Sequence, residues 1–134
     1  MKLVAPITAI TLIVLVPLYI RLAFGVIRKR HEHRVAVGTG EKPDLETAIR
    51  AHGNFSEYVP FALMLVLTAE INGTPIWLSA LVAALLVTGR LIHASAIPAS
   101  DLAKRVQAMK LTFAALVLGV IANIVPLVAS LLTG

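Results

Sequence analysis

The chain has 134 residues, 58% of them hydrophobic and only 14% charged, with a mean hydropathy of +0.89. A soluble domain carries about a quarter charged residues, so the composition excludes an ordinary water-soluble globule. The formal charge of +5 is carried beside apolar segments without interleaved stacking aromatics, a pattern of membrane orientation rather than of nucleic-acid binding, and the absence of cysteine excludes disulfides, zinc–thiolate sites and a protein thiol nucleophile.

Four apolar segments fill most of the length and predict one integral domain over residues 1–134. The first span is expected over about 3–27. It is too long for a signal-peptide core and no small-residue cleavage site follows it, so it reads as an uncleaved transmembrane helix. Pro17 lies inside it, which lipid-embedded helices tolerate. Arg21 sits two turns before Arg28 and reads first as a snorkelling side chain. Arg28-Lys-Arg-His-Glu-His-Arg34 follows, then a loop marked by Gly38, Gly40 and Pro43. Asp44 is expected to cap a second helix over about 45–71. Asn72-Gly-Thr-Pro75 is a tight turn. The third span is expected over about 76–96, with Trp77 as an interfacial anchor. A second turn, 97–101, carries Ser100 or Asp101 as the cap of a fourth span over about 102–132.

Eleven of the 12 Lys and Arg lie in 21–50 and 90–110, and only Lys2 lies on the other side. The positive-inside rule then places loops 28–44 and 97–101 in the cytoplasm and both termini on the opposite side. An up-down-up-down, all-α four-helix bundle brings these two basic regions to one membrane face.

The most informative stretch is Arg50-Ala-His-Gly-Asn-Phe-Ser-Glu57-Tyr58. At roughly 100° per residue, Arg50, Asn54 and Glu57 fall within about 60° of each other on one helical face, and Glu46 extends the stripe one turn back. Charge at membrane depth is costly, so such a stripe should face protein, water or a polar ligand. Arginine grips carboxylates through a bidentate fork. Arginines beside one carboxylate and one amide therefore suit a small zwitterionic ligand with several carboxylates. A simpler alternative is that Arg50 and Glu57 pair with each other and merely satisfy a helix junction. Arg28, Lys29 and Arg30 read first as topology determinants, His31 and His33 as solvated and His52 as packing, and His93 reads equally as a capped interfacial histidine. No metal-ligand spacing is present, so no metal is expected.

Residues 50–60, Arg-Ala-His-Gly-Asn-Phe-Ser-Glu-Tyr-Val-Pro, resemble the signature of the MAPEG family, the membrane-associated proteins in eicosanoid and glutathione metabolism. Gly89-Arg-Leu-Ile-His93 resembles a second family motif, and the four-span plan and length agree. The resemblance, to small bacterial inner-membrane members, implies a homotrimer with glutathione bound between subunits near the cytoplasmic side. It implies that Arg50, Asn54, Glu57 and Tyr58 contact glutathione, with His93 and Arg28 or Arg30, and that Arg105 activates the thiol. Family polar positions are occupied here by Ile97, Val106 and Met109, so the binding half of the pattern is better kept than the catalytic half. The expected function is a membrane-bound glutathione transferase or peroxidase acting on lipophilic electrophiles. The alternatives are a non-catalytic lipid or fatty-acid binding protein and, more remotely, a small multidrug transporter.

Overall fold

The computed structural model describes residues 3–97 and 101–133. Lys2 and Ser100, which entered the topology and capping expectations, lie outside them. Four helices follow one another: α1 (Pro6–His33), α2 (Pro43–Ile71), α3 (Ile76–Ala96) and α4 (Leu102–Thr133). No strand occurs among the described residues.

Helix limits follow local chemistry. α1 and α2 each begin with proline in the first turn, where the missing N–H costs nothing. α1 runs past the expected end of its apolar span to His33, because the basic segment contains no helix breaker and Lys29 and Glu32 pair at 2.8 Å one turn apart. It stops at Arg34, whose left-handed backbone lets its N–H reach back to Arg30 and His31 carbonyls. Asp44 lies inside the first turn of α2 rather than at its cap, which is Lys42. Asp101 does cap α4: its Oδ1 accepts the Lys104 N–H at 2.9 Å, and that bond holds its carboxyl below the ordinary carboxylate range. The 72–75 turn closes through Gly73, whose φ of +80° suits a residue without Cβ.

α1, α3 and α4 are long and apolar enough to cross a membrane; α2 is equally long, but its first half carries the charged stripe. α2 and α3 each touch every other helix, whereas α1 and α4 do not meet. The core joins Leu15 and Leu18 of α1, Phe55, Val59, Ala62 and Val66 of α2, Val82, Ala83 and Leu86 of α3, and Ala115 of α4. α4 approaches its neighbours through small buried residues three and four apart, Ala108, Thr112, Ala115, Gly119 and Ala122, the way helices pack in lipid.

Long-range hydrogen bonds fix the alternating directions. At one end Glu70 of α2 accepts the backbone N–H groups of Ile7 and Thr8 at 2.9 and 2.7 Å, and the Thr8 hydroxyl at 2.6 Å. Ala5, the cap residue of α1, offers no side-chain hydrogen bond, so the Glu70 carboxylate satisfies that helix terminus from another helix. Thr74 donates to the Ala122 carbonyl at the same end, at 2.7 Å. The opposite end gathers the first turns of α2 and α4 with the last turns of α1 and α3, and there the polar residues meet.

Candidate functional site

Arg90 occupies the centre of that polar end. It stands in the next-to-last turns of α3 and is 1% exposed. Its Nη1 donates to Asn54 Oδ1 of α2 at 2.7 Å, and its Nη2 donates to Thr112 Oγ1 and to Met109 Sδ of α4. The Thr112 hydroxyl passes the polarity on to the Ala108 carbonyl at 3.0 Å. One guanidinium therefore ties three helices together. No carboxylate pairs with it among the described residues, and its Nε has no partner.

Gly89 makes the arrangement fit. A Cβ there would lie 3.0 Å from both the Ala108 carbonyl oxygen and Thr112 Oγ1. Only glycine lets α3 come this close to the α4 groups that Arg90 uses. The Gly89-Arg90 pair is thus a packing unit as well as a motif.

The contact with Arg90 also fixes the sense of Asn54. A guanidinium only donates, so the Asn54 oxygen is the end it holds. The Nδ2 amide hydrogens remain as the free end of a half-buried side chain. Asn54 can therefore offer a ligand donors, toward a carbonyl or carboxylate oxygen.

Arg50 and Glu57 flank Asn54 on the same helix, and both are exposed. They form no ion pair with each other among the described residues, so the helix-junction alternative finds no contact here. Tyr58 is half-buried and packs edge-on against Phe113 of α4, with ring centroids 5.5 Å apart. His93 is buried, one turn after Arg90. The His52 ring lies tilted against Tyr19, with centroids 4.9 Å apart, as a packing residue would.

Arg50 and Arg105, from α2 and α4, line one cavity of about 250 Å³ together with Glu46, Thr47 and Ile97. Two cations and a carboxylate thus border one concavity whose remaining lining residues, Pro43, Ala51 and Ile97, are apolar. Asn54, Glu57, Tyr58 and His93 are not part of its wall.

The arginines of α1 sit elsewhere. Arg30 Nη1 donates to the carbonyls of Val35, Ala36 and Gly38 at 3.4, 3.1 and 3.1 Å, closing its own loop. Arg28 lines a second, larger groove with Arg21. Asp44 anchors the loop from the far side, 2.9 Å from Lys29 Nζ and 2.8 Å from His33 Nε2. These two donors hold its carboxyl well below the usual carboxylate range. His33, expected to be merely solvated, is thus part of a clasp. Glu32, His33 and Asp44 could each turn one ligand atom to a common point, but the Lys29 ammonium already bridges both carboxylates, at 2.8 and 2.9 Å.

Arg90 was legible as part of the Gly89–His93 motif and of the basic cluster near the third span, but nothing in its spacing pointed to burial. Glycine immediately before it is the signal of close approach. Glu70, last acid of an apolar run, gave a similar hint of an interior partner.

A family model described as the MAPEG family matches residues 8–125. The chain belongs to the MAPEG family. Among curated proteins, this MAPEG chain is 38% identical over 107 residues to inner membrane protein YecN of Escherichia coli, an alignment covering 80% of the chain and 82% of YecN. YecN from a second strain of the same species matches to the same extent. No solved structure matches. With three helices of crossing length and composition, this MAPEG protein is an integral membrane protein.

Proposed function

We propose that the chain is a subunit of a glutathione-dependent transferase, or peroxidase, that acts on lipophilic electrophiles at the cytoplasmic face of the inner membrane. The observation that carries this reading is the convergence of Arg50 and Arg105, from two helices, on one cavity that Glu46 also borders. Glutathione presents two carboxylates, an ammonium and a thiol; the two guanidiniums suit one carboxylate and the thiolate and Glu46 suits the ammonium, which leaves the second carboxylate to an arginine of a neighbouring subunit. Inner-membrane placement follows YecN, and the basic ends of α1 and α3 favour cytoplasmic loops.

In this reading Arg50 holds a carboxylate, Glu57 or Glu46 takes the ammonium, and Asn54, oriented by Arg90, donates to a peptide carbonyl. Tyr58 and His93 are supporting contacts. Arg105 faces the sulfur. Because Arg50 and Glu57 lie on the exposed face of α2, a homotrimer in which a neighbouring subunit closes the site fits the geometry. Arg28 and Arg30 enter only from such a neighbour, since within one chain they serve a separate groove and a loop.

A thiol has a reference pKa of about 8.5, so only about 3% is thiolate at pH 7. A guanidinium at contact distance favours the anion. Lowering the pKa by about two units, worth about 2.7 kcal/mol, makes thiolate the main species. The sulfur lone pair then attacks the electrophilic carbon, and the leaving group departs with its bonding pair. In the peroxidase variant the thiolate attacks the hydroperoxide, and a second glutathione completes the disulfide, releasing alcohol and water.

The test is a conjugation assay on purified protein. Arg50→Ala should mainly raise the glutathione KM, and Arg105→Ala should mainly lower kcat. Equal activity in wild type and both variants would refute the assignments. A non-catalytic lipid-binding reading is favoured by one observation: the family polar position at Met109 is a thioether already engaged by Arg90. Normal glutathione binding with no turnover against a panel of electrophiles would select it.

A further inference from the structure

The larger groove, about 850 Å³, opens between α1, the start of α2 and the end of α3. None of Arg50, Asn54, Glu57 or Arg105 lines it. Its lining is graded along α1. Lys29 and Asp44 stand at the loop end and neutralise each other. Arg28 lies one position deeper, and Arg21 lies about 10.5 Å below Arg28 on the same helical face, seven residues back. Leu22 and Phe24, between the two arginines along α1, and Ala94 of α3 supply the apolar wall.

Neither Arg21 nor Arg28 has an ion pair or a side-chain hydrogen bond among the described residues. Arg21 is exposed within the apolar part of α1 and needs a counter-charge there. A small soluble anion would compensate the arginines and leave the apolar wall and most of the volume wet. An amphiphile with an anionic head and an acyl chain satisfies both, and basic pockets between transmembrane helices are where anionic headgroups bind. Phe24, 64% exposed at the groove mouth, stands where a chain would continue into the bilayer.

We propose that this groove is a phospholipid site: an anionic membrane lipid places its phosphate between Arg21 and Arg28 and its chain against Leu22, Phe24 and Ala94. The bound lipid seals the seam between α1 and α3 on the loop side of the bundle. The groove adjoins the cavity of the glutathione reading, with Pro43, Thr47, Ala51 and Ile97 in both walls, and the two readings share Arg28, which the test variants leave in place.

The test exchanges purified protein against vesicles of phosphatidylglycerol or phosphatidylcholine and measures retained lipid per chain by native mass spectrometry. Two arginines near the surface correspond to a preference of roughly 30-fold for the anionic lipid, and Arg21→Gln should reduce it about 5-fold. Arg21→Lys should keep most of it. Gly25→Leu is a steric probe that leaves every charge in place: Gly25 lines the groove and a Cβ there meets nothing within 4 Å, so the added side chain fills the lipid's volume. It should lower retention of phosphatidylglycerol. Equal retention of the two lipids by wild type, or wild-type retention in both Arg21→Gln and Gly25→Leu, overturns the proposal. So does complete displacement by millimolar inorganic phosphate, which would make the occupant a soluble anion. A changed oligomeric state in Gly25→Leu with lipid retention intact would equally overturn it, making the groove a seat for a second copy.

Discussion

Asn54→Asp separates the structural partner of Asn54 from its proposed ligand, because the two should respond in opposite directions. The substitution is nearly isosteric and keeps the oxygen that Arg90 Nη1 reaches at 2.7 Å. A hydrogen bond from a charged donor contributes about 1.5–3 kcal/mol. Ionising the acceptor adds a Coulombic attraction to this already charge-assisted bond, while desolvation of a half-buried carboxylate offsets much of that gain. A net stabilisation of about 1 kcal/mol is expected, since Arg90 then acquires the counter-charge it lacks. Binding should move the other way. The variant loses both amide donors, about 0.5–1.5 kcal/mol for the one hydrogen bond to ligand. It also sets a negative charge near the ligand's carboxylates, about 2–3 kcal/mol at 6 Å and an effective dielectric of 20 before salt and Arg90 reduce it. Together these weaken glutathione binding by at least about 30-fold, taking 1.4 kcal/mol per decade. Thermal unfolding in detergent and calorimetric titration with glutathione read the two effects. A lower melting temperature would refute the Arg90–Asn54 contact as described, and unchanged affinity would remove Asn54 from the ligand's donors.

Gly89→Ala pushes a methyl group to 3.0 Å from the Ala108 carbonyl oxygen and Thr112 Oγ1, and should destabilise the bundle by about 1–3 kcal/mol through overpacking; a melting temperature equal to wild type would show that α3 and α4 are not so close. Glu70→Ala leaves the Ile7 and Thr8 N–H groups without their acceptor and should cost about 2–3 kcal/mol. Glu70→Gln, which keeps one carbonyl acceptor, should cost about half, and equal melting of the two variants would discount the carboxylate's role. The clasp of Lys29, His33 and Asp44 should depend on pH with a definite sign. Asp44 has its folded pKa depressed, so its contribution is present above the unfolded value near 3.8 and is lost as pH falls below it. Proteolytic cleavage of the 34–42 loop, taken as the ratio of wild type to Asp44→Asn, should approach one in acid and fall below one at neutral pH. A ratio of one throughout would mean that the clasp does not hold the loop.

The fold was largely readable because membrane burial writes itself into long apolar runs: apart from the end of α1 the expected spans fall within a few residues of the helices, and proline or glycine marks each connection in the sequence. The apparent misses were local. α1 outlasted its apolar part because hydrophilic residues without a breaker continue a helix as readily as apolar ones. Asp44 looks like a cap in sequence, yet Lys29 and His33 claim it from across the loop, which no local pattern records. The stripe of Arg50, Asn54 and Glu57 was readable from helical periodicity alone. The partner that orients Asn54 was not, because Arg90 is 36 positions away and its place in the Gly89–His93 motif does not say what it touches. Arg30 illustrates the converse, since a basic residue in a ligand-like position closes its own loop instead. The convergence of Arg50 and Arg105 on one cavity depends on how α4 packs against α2, a tertiary fact.

The proposed chemistry turns on whether a guanidinium at the start of α4 ionises the sulfur of a bound tripeptide. Thiolate absorbance on mixing purified protein with glutathione at neutral pH reports that directly. Wild type should show a saturating thiolate signal, Arg50→Ala should reach it only at higher glutathione, and Arg105→Ala should bind glutathione with most of the signal gone. Absence of the signal in wild type at saturating glutathione, or an undiminished signal in Arg105→Ala, would contradict the account.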